Sequence, residues 1–485
     1  MNCKNLTKEE QIKLAHKFKI PDEKIKSSKN LCNLIKKEYN KKYPCNNLIE
    51  KETDISIKKH QFNVSNSLTQ NRGLILFHEV GTGKTMSSIV ASRCVLLSGL
   101  VEKVIVITPT SLQDNFKKEL LKYDPDIDIS KYHYYTIQGL TQSLIDKKEV
   151  EKCKNALVII DEAHNLRTDE SVRFEEIFKY CSKAEKILLL TATPLINSKY
   201  DIINLVALIK NENPLTKKQF DELSNNEFKK YLENVFNIYI KKNENNFPAK
   251  KIIEIFLKMN NDYLKKYKKV ENGEVKKFPQ FNGKNINVFY NGVRRASNIL
   301  DEESDKIDWI INKILDNKKS KFVIFSHFLS MGINPIKEIL DSKNIKHASI
   351  TGDLKKNERN RAILNYNNGE IKILFISKSG SEGLDLKKSN FIIIMESSWN
   401  ENEINQIIGR GVRYKSHEGL ENKLVIIYKL FLIKPIEYEN LKTITQNFML
   451  DYNEDILSVD LYLRNYSLLK QQHIEEFYET LKKII

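Results

Sequence analysis

The chain has 485 residues, a net charge of +16 at pH 7 and 41% hydrophobic residues, which is enough for two or three domains with buried cores and marks a basic globular protein. It contains no run of eighteen apolar residues and begins with the polar stretch MNCKNLTKEEQ, so neither a membrane span nor a secretory signal is expected. The six cysteines (Cys3, Cys32, Cys45, Cys94, Cys153, Cys181) include no C-x-x-C pair, so the expectation is reduced thiols in an intracellular, soluble protein, with no zinc site and no disulfide framework.

Residues 1–51 carry two basic helical patterns around Pro21, with apolar positions at Leu6, Ile12, Leu14, Ala15, Leu31 and Ile35. This module resembles SAP-type nucleic-acid-binding helices and equally suits a structural cap. From residue 72 short β-branched runs alternate with longer amphipathic ones: GLILFHEV, KTMSSIVASRCVLL, KVIVITP, SLQDNFKKELLKY, then ALVIIDEAH and KILLLTATP. Such alternation predicts βαβ units and a buried parallel sheet over residues 52–210.

Residues 211–300 lose that pattern and hold 18 Lys and Arg against 10 Asp and Glu, so +8 of the +16 sits there. The reading is a basic, mostly helical insertion able to touch a polyanion. A second α/β series fills 301–435, through KFVIFSHF, HASIT, IKILFIS, NFIIIME and LVIIYKLFLI, and residues 436–485 read as a helical tail.

The chemistry begins in LILFHEVGTGKTMSS, residues 74–88. Gly81 and Gly83, around Thr82, let backbone N–H groups turn toward phosphate oxygens, and the helix that follows adds a favourable dipole. Lys84 suits the β- and γ-phosphates of ATP, and Thr85 suits Mg²⁺. One position departs from the full G-x-x-x-x-G-K-[ST] pattern, which has glycine where this chain has His78. Downstream, Asp161-Glu162-Ala163-His164 follows a strand, 76 residues after Thr85 (161 minus 85), at the strand end where α/β sheets keep ligand sites. Asp161 suits Mg²⁺ and Glu162 suits polarising the attacking water. Thr191 and Thr193 in LLLTATP sit where hydroxyls could bond His164 and report the γ-phosphate.

In the second half, WNENEINQIIGRGVRYKSH holds Gln406, Arg410 and Arg413. The two arginines are three apart, so on a helix they share a face, and guanidiniums so placed act as arginine fingers.

The ordered set GTGKT, DEAH, TAT, SEGLDL and Q-x-x-G-R-x-x-R, spanning roughly residues 55–435, resembles a superfamily 2 helicase or translocase core. LTATPLINSKYDIINLVALI is similar to the Snf2-like branch. FHEVGTGKT, DEAHNLRT and QIIGRGVRYKSH resemble the helicase-type ATPases of large cytoplasmic DNA viruses, including the small subunit of the poxvirus early transcription factor, a group that accommodates His78. The resemblance implies an α/β fold of two RecA-like parallel-sheet lobes, with a helical insertion and helical N- and C-terminal extensions. It implies that Gln61 contacts adenine, that Gly383 and Asp385 contact the nucleotide or link it to the second lobe, and that Thr108-Pro109, Ser326-His327 and Thr351-Gly352 face a nucleic-acid backbone. It also implies ATP and Mg²⁺ as cofactors, DNA in preference to RNA, and a host-cytoplasm or virion setting. The expected activity is ATP-dependent movement on nucleic acid; the alternative is an ATPase that works with RNA polymerase or transcription-factor subunits at promoters.

Overall fold

In the computed structural model the described residues are 7–17, 19–27, 30–42, 45, 57–78, 82–166, 172–191, 199–239, 247–277, 291–378, 380, 384–413, 415–452 and 455–484. They fall into two units, Met1–Lys241 with Glu479–Ile485, and Lys242–Tyr478. Three helices open the chain, Lys8–Lys17, Asp22–Ser27 and Leu31–Lys42, where the sequence pattern suggested two. Asn30 accepts the Asn33 N–H at 3.1 Å and so caps the third helix separately. Ala15, Ile20, Cys32 and Ile35 form their small core; Leu6 lies outside the described residues.

The first unit is built on six strands: β1 (Gly73–His78), β2 (Lys103–Ile107), β3 (Tyr132–Tyr135), β4 (Ala156–Ile160), β5 (Lys186–Thr191) and β6 (Phe236–Tyr239). Their order is β3-β2-β4-β5-β1-β6, every pair parallel. A parallel sheet needs cover on both faces, which explains why β1 and β4 are apolar without alternation and buried throughout. Leu74, Leu76, Val104, Val106, Leu157 and Ile159 pack with Ile89 and Val90 of the helix Lys84–Leu97 and with Phe116 and Leu120 of the helix Thr110–Tyr123. The intervening Ile75, Ile105 and Val158, which alternation turns to the opposite face, are equally buried.

Two expectations are corrected here. Cys45 and Cys94 are joined as a disulfide across a sequence separation of 49, so no local motif announces the pairing; Cys153 and Cys181 are buried free thiols. The 211–300 region keeps helices, at Lys217–Asp221, Asn225–Leu232, Asn261–Lys277 and Asn291–Asn298, but it also supplies a strand to each sheet, which the helical reading omits. Its FNIY run is β6, paired with β1 in the register Phe77 to Ile238, and Ala249–Lys258 is β7, paired with β12 over ten residues. Both are edge strands, which need only one neighbour, so FNIY and the IIEIFL stretch of β7 pair despite the surrounding Lys and Asn. The true helices there are short, apart from Asn261–Lys277.

The second unit contains β7, β8 (Phe322–Phe325), β9 (His347–Ile350), β10 (Ile373–Ile376), β11 (Phe391–Ile394) and β12 (Leu424–Ile433), ordered β7-β12-β11-β8-β10-β9 and again parallel. Among the tail helices, Val459–Ile484 is bound in through Asp460, whose carboxylate lies 2.6 Å from the Lys306 ammonium with both side chains fully buried. Lys306 also donates to Asn298 Oδ1 at 3.1 Å, and Asp460 accepts the Leu432 N–H at 2.9 Å. Lys306→Met would leave a buried carboxylate without its cation, and is expected to cost about 3–5 kcal/mol, read as a lower urea midpoint. An unchanged midpoint would mean that the pair adds nothing.

Candidate functional site

The phosphate loop leaves β1 at His78 and enters its helix through Gly83, whose φ of 86° is a left-handed conformation. A Cβ on Gly83 would come within 3.0 Å of Gln61 Nε2, so the glycine answers both a backbone and a space requirement. Gln61 is buried beside the loop, its Oε1 accepting the Lys58 N–H at 2.8 Å at the start of the helix Lys59–Gln70. Lys84 Nζ donates to the His78 carbonyl at 2.8 Å, which holds the ammonium at the sheet's C-terminal edge. Gly81 lies outside the described residues, as do Thr193 and Gly383.

The departure at His78 has a structural reason. Its side chain is fully buried, and Nε2 meets Asn237 Oδ1 of β6 at 2.9 Å, so the ring fastens the edge strand beneath the loop. His60 completes the base: its ring stacks on Tyr239 at 3.7 Å and its Nε2 lies 3.2 Å from the Thr82 carbonyl. Burial, opposed by the Asn237 hydrogen bond and assisted by His60 and Lys84, lowers the His78 pKa to about 4. The ring is therefore neutral in the folded protein at pH 7, with Nε2–H donating. Since the unfolded ring protonates near 6.5, its contribution to stability is complete above that pH and is lost as pH falls toward 4, by up to roughly 3 kcal/mol. Urea midpoints of wild type and His78→Gln between pH 7 and 4.5 should converge on acidification; parallel curves would refute the assignment.

Asp161 and Glu162 follow β4 at the same edge of the sheet. Glu162 takes a positive φ of 52°, rare for a non-glycine residue and a source of strain of the kind found at functional turns. The Asp161 carboxylate accepts Thr108 Oγ1 at 3.3 Å and the Glu162 N–H at 3.0 Å. Burial, then repulsion from Glu162, raises its pKa to about 6 against the pull of Lys84. A buried carboxyl that ionises reluctantly is a site that a cation would complete. Glu162 Oε2 lies 3.2 Å from His164 Nδ1, which orients the carboxylate, and Thr191 is buried at the end of β5. Thr85 is the second residue of the helix Lys84–Leu97.

Thr108 corrects one expectation: it is buried with its hydroxyl on Asp161, so its side chain does not face a nucleic acid. Pro109 follows at the N-terminus of the next helix. Ser326 and His327 are likewise turned inward, toward Glu396. Thr351 is half-buried at the end of β9 and Gly352 is exposed beyond it.

Gln406 and Arg410 lie on the helix Glu401–Gly411, but Arg413 lies past its end. The two arginines therefore do not share a helix face, a second correction, caused by termination at Gly411. Arg413 Nη1 donates to the Leu384 carbonyl at 3.2 Å and lies 3.4 Å from Asp385 Oδ1, so Asp385 and Arg413, assigned separately from sequence, are neighbours. Sequence reasoning missed Asn237, His60, Tyr239, Glu396 and Glu403; the alternation in FNIY was the available signal for two of them.

Three family models match: the helicase conserved C-terminal domain over residues 305–415, the SNF2-related domain over 124–303, and the res subunit of type III restriction enzymes over 17–196. A protein of Acanthamoeba polyphaga mimivirus with the provisional name ATP-dependent RNA helicase L538 is 31% identical over 80% of this chain and 91% of its own length. Nucleoside triphosphatase I of Choristoneura fumiferana entomopoxvirus is 24% identical over 89% of this chain and 79% of its own. Among solved structures, the Sulfolobus solfataricus SWI2/SNF2 ATPase core in complex with dsDNA is 19% identical and covers 89% of this chain and 98% of that one, with a TM-score of 0.36, so no position is transferred from it.

Proposed function

Because the chain belongs to the Snf2-like branch of the superfamily 2 helicases and is an ATP hydrolase, we propose that it couples ATP hydrolysis to movement along nucleic acid, DNA in preference to RNA. The observation that carries this reading is the meeting of Lys84, Asp161 and Glu162 at the C-terminal edge of one parallel sheet. Lys84 binds the β- and γ-phosphates, Gln61 the adenine, and the N–H groups around Thr82 and Gly83 the phosphate oxygens. Glu162, aligned by His164, takes a proton from the attacking water. Asp161 and the Thr85 hydroxyl are the residues that would hold Mg²⁺, and the buried, hard-to-ionise Asp161 carboxyl fits it. The ion, when bound, neutralises phosphate charge. Arg410 and Arg413 offset charge on the transferring phosphoryl, with Gln406 on the helix that carries Arg410. Thr191 and Thr193 relay the nucleotide state, while Gly383 and Asp385 contact the nucleotide.

The lobes run from about residue 52 through β6 and from β7 through about residue 435, each with its own sheet. Backbone contact falls to Pro109, Thr351 and Gly352 and to main-chain groups near Thr108, Ser326 and His327. No described helix is long and apolar enough to cross a membrane. Viral relatives support a setting in infected cells or virions.

A second reading is an ATPase serving RNA polymerase or transcription factors at promoters, without unwinding of its own. It is favoured by the poxviral relatives, which carry the name of a nucleoside triphosphatase and not of a helicase. ATP hydrolysis measured alone, then with single- and double-stranded DNA and RNA, separates the two. Stimulation by duplex DNA supports the translocase; stimulation by RNA alone overturns the preference for DNA. Hydrolysis that no polynucleotide stimulates favours the partner-gated ATPase.

A further inference from the structure

The second unit contains a buried ionic cluster that the phosphate-transfer chemistry does not use. Just after β8, the His327 ring is almost wholly enclosed between two carboxylates: Nδ1 lies 2.9 Å from Glu396 Oε1 and Nε2 lies 3.1 Å from Glu403 Oε2. Glu396 stands two residues past β11 and is itself fully buried. It also accepts the Ser326 hydroxyl at 3.0 Å, the Asn298 side-chain amide at 2.9 Å and the His327 backbone N–H. Glu403 sits in the first turn of the helix Glu401–Gly411, accepts the Ser398 hydroxyl, and lies 2.9 Å from Lys378 Nζ. Gly332 keeps the chain close: a Cβ there would fall 2.3 Å from Ser326 Oγ.

Each imidazole nitrogen thus faces a carboxylate, an arrangement that only a doubly protonated ring satisfies on both sides, because a neutral ring has one donor. Burial opposes that charge, but the hydrogen bonds to Glu396 and Glu403 outweigh it and raise the His327 pKa. Glu396, despite its burial, is held down to about 2, chiefly by His327. The other charged groups at the cluster are Arg294, whose guanidinium donates to the Ser397 carbonyl at 2.9 Å and lies 3.2 Å from Nδ1, and Lys378. Both are cations and work against the positive charge of the doubly protonated ring.

We propose that His327 is a positioning residue: bridging Glu396 and Glu403, it clamps the start of the helix Glu401–Gly411 to the end of β11 and so fixes Gln406 and Arg410 for ATP turnover. This rests on the ATPase reading above, in which that helix carries the group that stabilises the transferring phosphoryl. A clamp acting on placement alone lowers kcat and spares ATP binding, since misplacement by about 1 Å can cost about 100-fold in rate. Sign and pH window follow from the raised pKa. The bridge is complete below the ordinary histidine value of about 6.5 and is lost as pH rises through the higher folded value.

The test uses the full chain as wild type, His327→Gln, His327→Lys and Glu403→Gln. Expected for His327→Gln and Glu403→Gln is a kcat lower by about 10- to 100-fold with KM for ATP unchanged, and loss of the alkaline fall in kcat expected of wild type. Lys at 327, a cation with three donors, should recover part of kcat and move the alkaline limb upward. Wild-type kcat and pH profile in both neutral variants, or a matching loss of ATP affinity, would overturn the clamp. A readout that needs no turnover keeps the two ideas apart. With ¹³C-labelled histidine, the His327 ring should titrate above the ordinary value of about 6.5 and drop in Glu403→Gln; titration at the ordinary value in wild type refutes the clamp. If wild type hydrolyses no ATP under any condition while the ring titrates as expected, the ATPase reading fails and the bridge stands.

Discussion

Glu162→Gln is expected to lower ATP hydrolysis by about 10²- to 10⁴-fold and to leave nucleotide binding near the wild-type level. Gln keeps the size and the hydrogen-bonding reach of the side chain but cannot take a proton. The backbone at Glu162 has a φ of 52°, and Gln tolerates that conformation no worse than Glu, so the fold should survive. The neighbouring Asp161 would lose the repulsion of a second carboxylate and ionise more readily, which favours nucleotide with its cation. Single-turnover hydrolysis beside a titration with a fluorescent ATP analogue measures both quantities. Normal hydrolysis in the variant would remove Glu162 from its role, and equal losses of binding and rate would make it a structural residue.

Arg410→Ala and Arg413→Ala are each expected to slow turnover by about 10³-fold or more with ATP binding largely retained. The structure sharpens this pair. Arg410 lies on the helix Glu401–Gly411, whereas Arg413 lies beyond it with its guanidinium against the Leu384 carbonyl and Asp385. The Arg413–Asp385 contact is partly exposed, so solvent weakens it and the guanidinium can leave it at small cost. Asp385→Asn should therefore change turnover far less than Arg413→Ala does. Arg413→Lys, which keeps the charge without the planar fork, should recover only part of the rate. If Arg413→Ala turns over normally with nucleic acid present, Arg410 alone supplies the charge.

The strands of both sheets were legible because a parallel strand buried on both faces has to be apolar without interruption, as ALVII and FIII are. The edge strands were not. FNIY is four residues long and half-buried, and β7 is mostly exposed or half-buried, so neither displays a core pattern in a Lys- and Asn-rich stretch. The candidate site groups were legible for a related reason: the spacings typical of phosphate cradles and paired carboxylates are local, and Gly83, Lys84, Asp161 and Glu162 need only a strand end to be placed.

By itself the sequence determined which chemical groups this protein owns, their order, and the two parallel sheets that carry them. Only the tertiary structure decided which groups meet. His78 finds Asn237 across 159 residues, Thr108 finds Asp161 across 53, and His327 finds Glu396 and Glu403 across 69 and 76. Cys45 and Cys94 come together in the same way. The physical reason is that hydrophobic burial sets the strand order without reference to distance along the chain. Polar partners are then chosen by whatever that order brings within about 3 Å in a site closed to water.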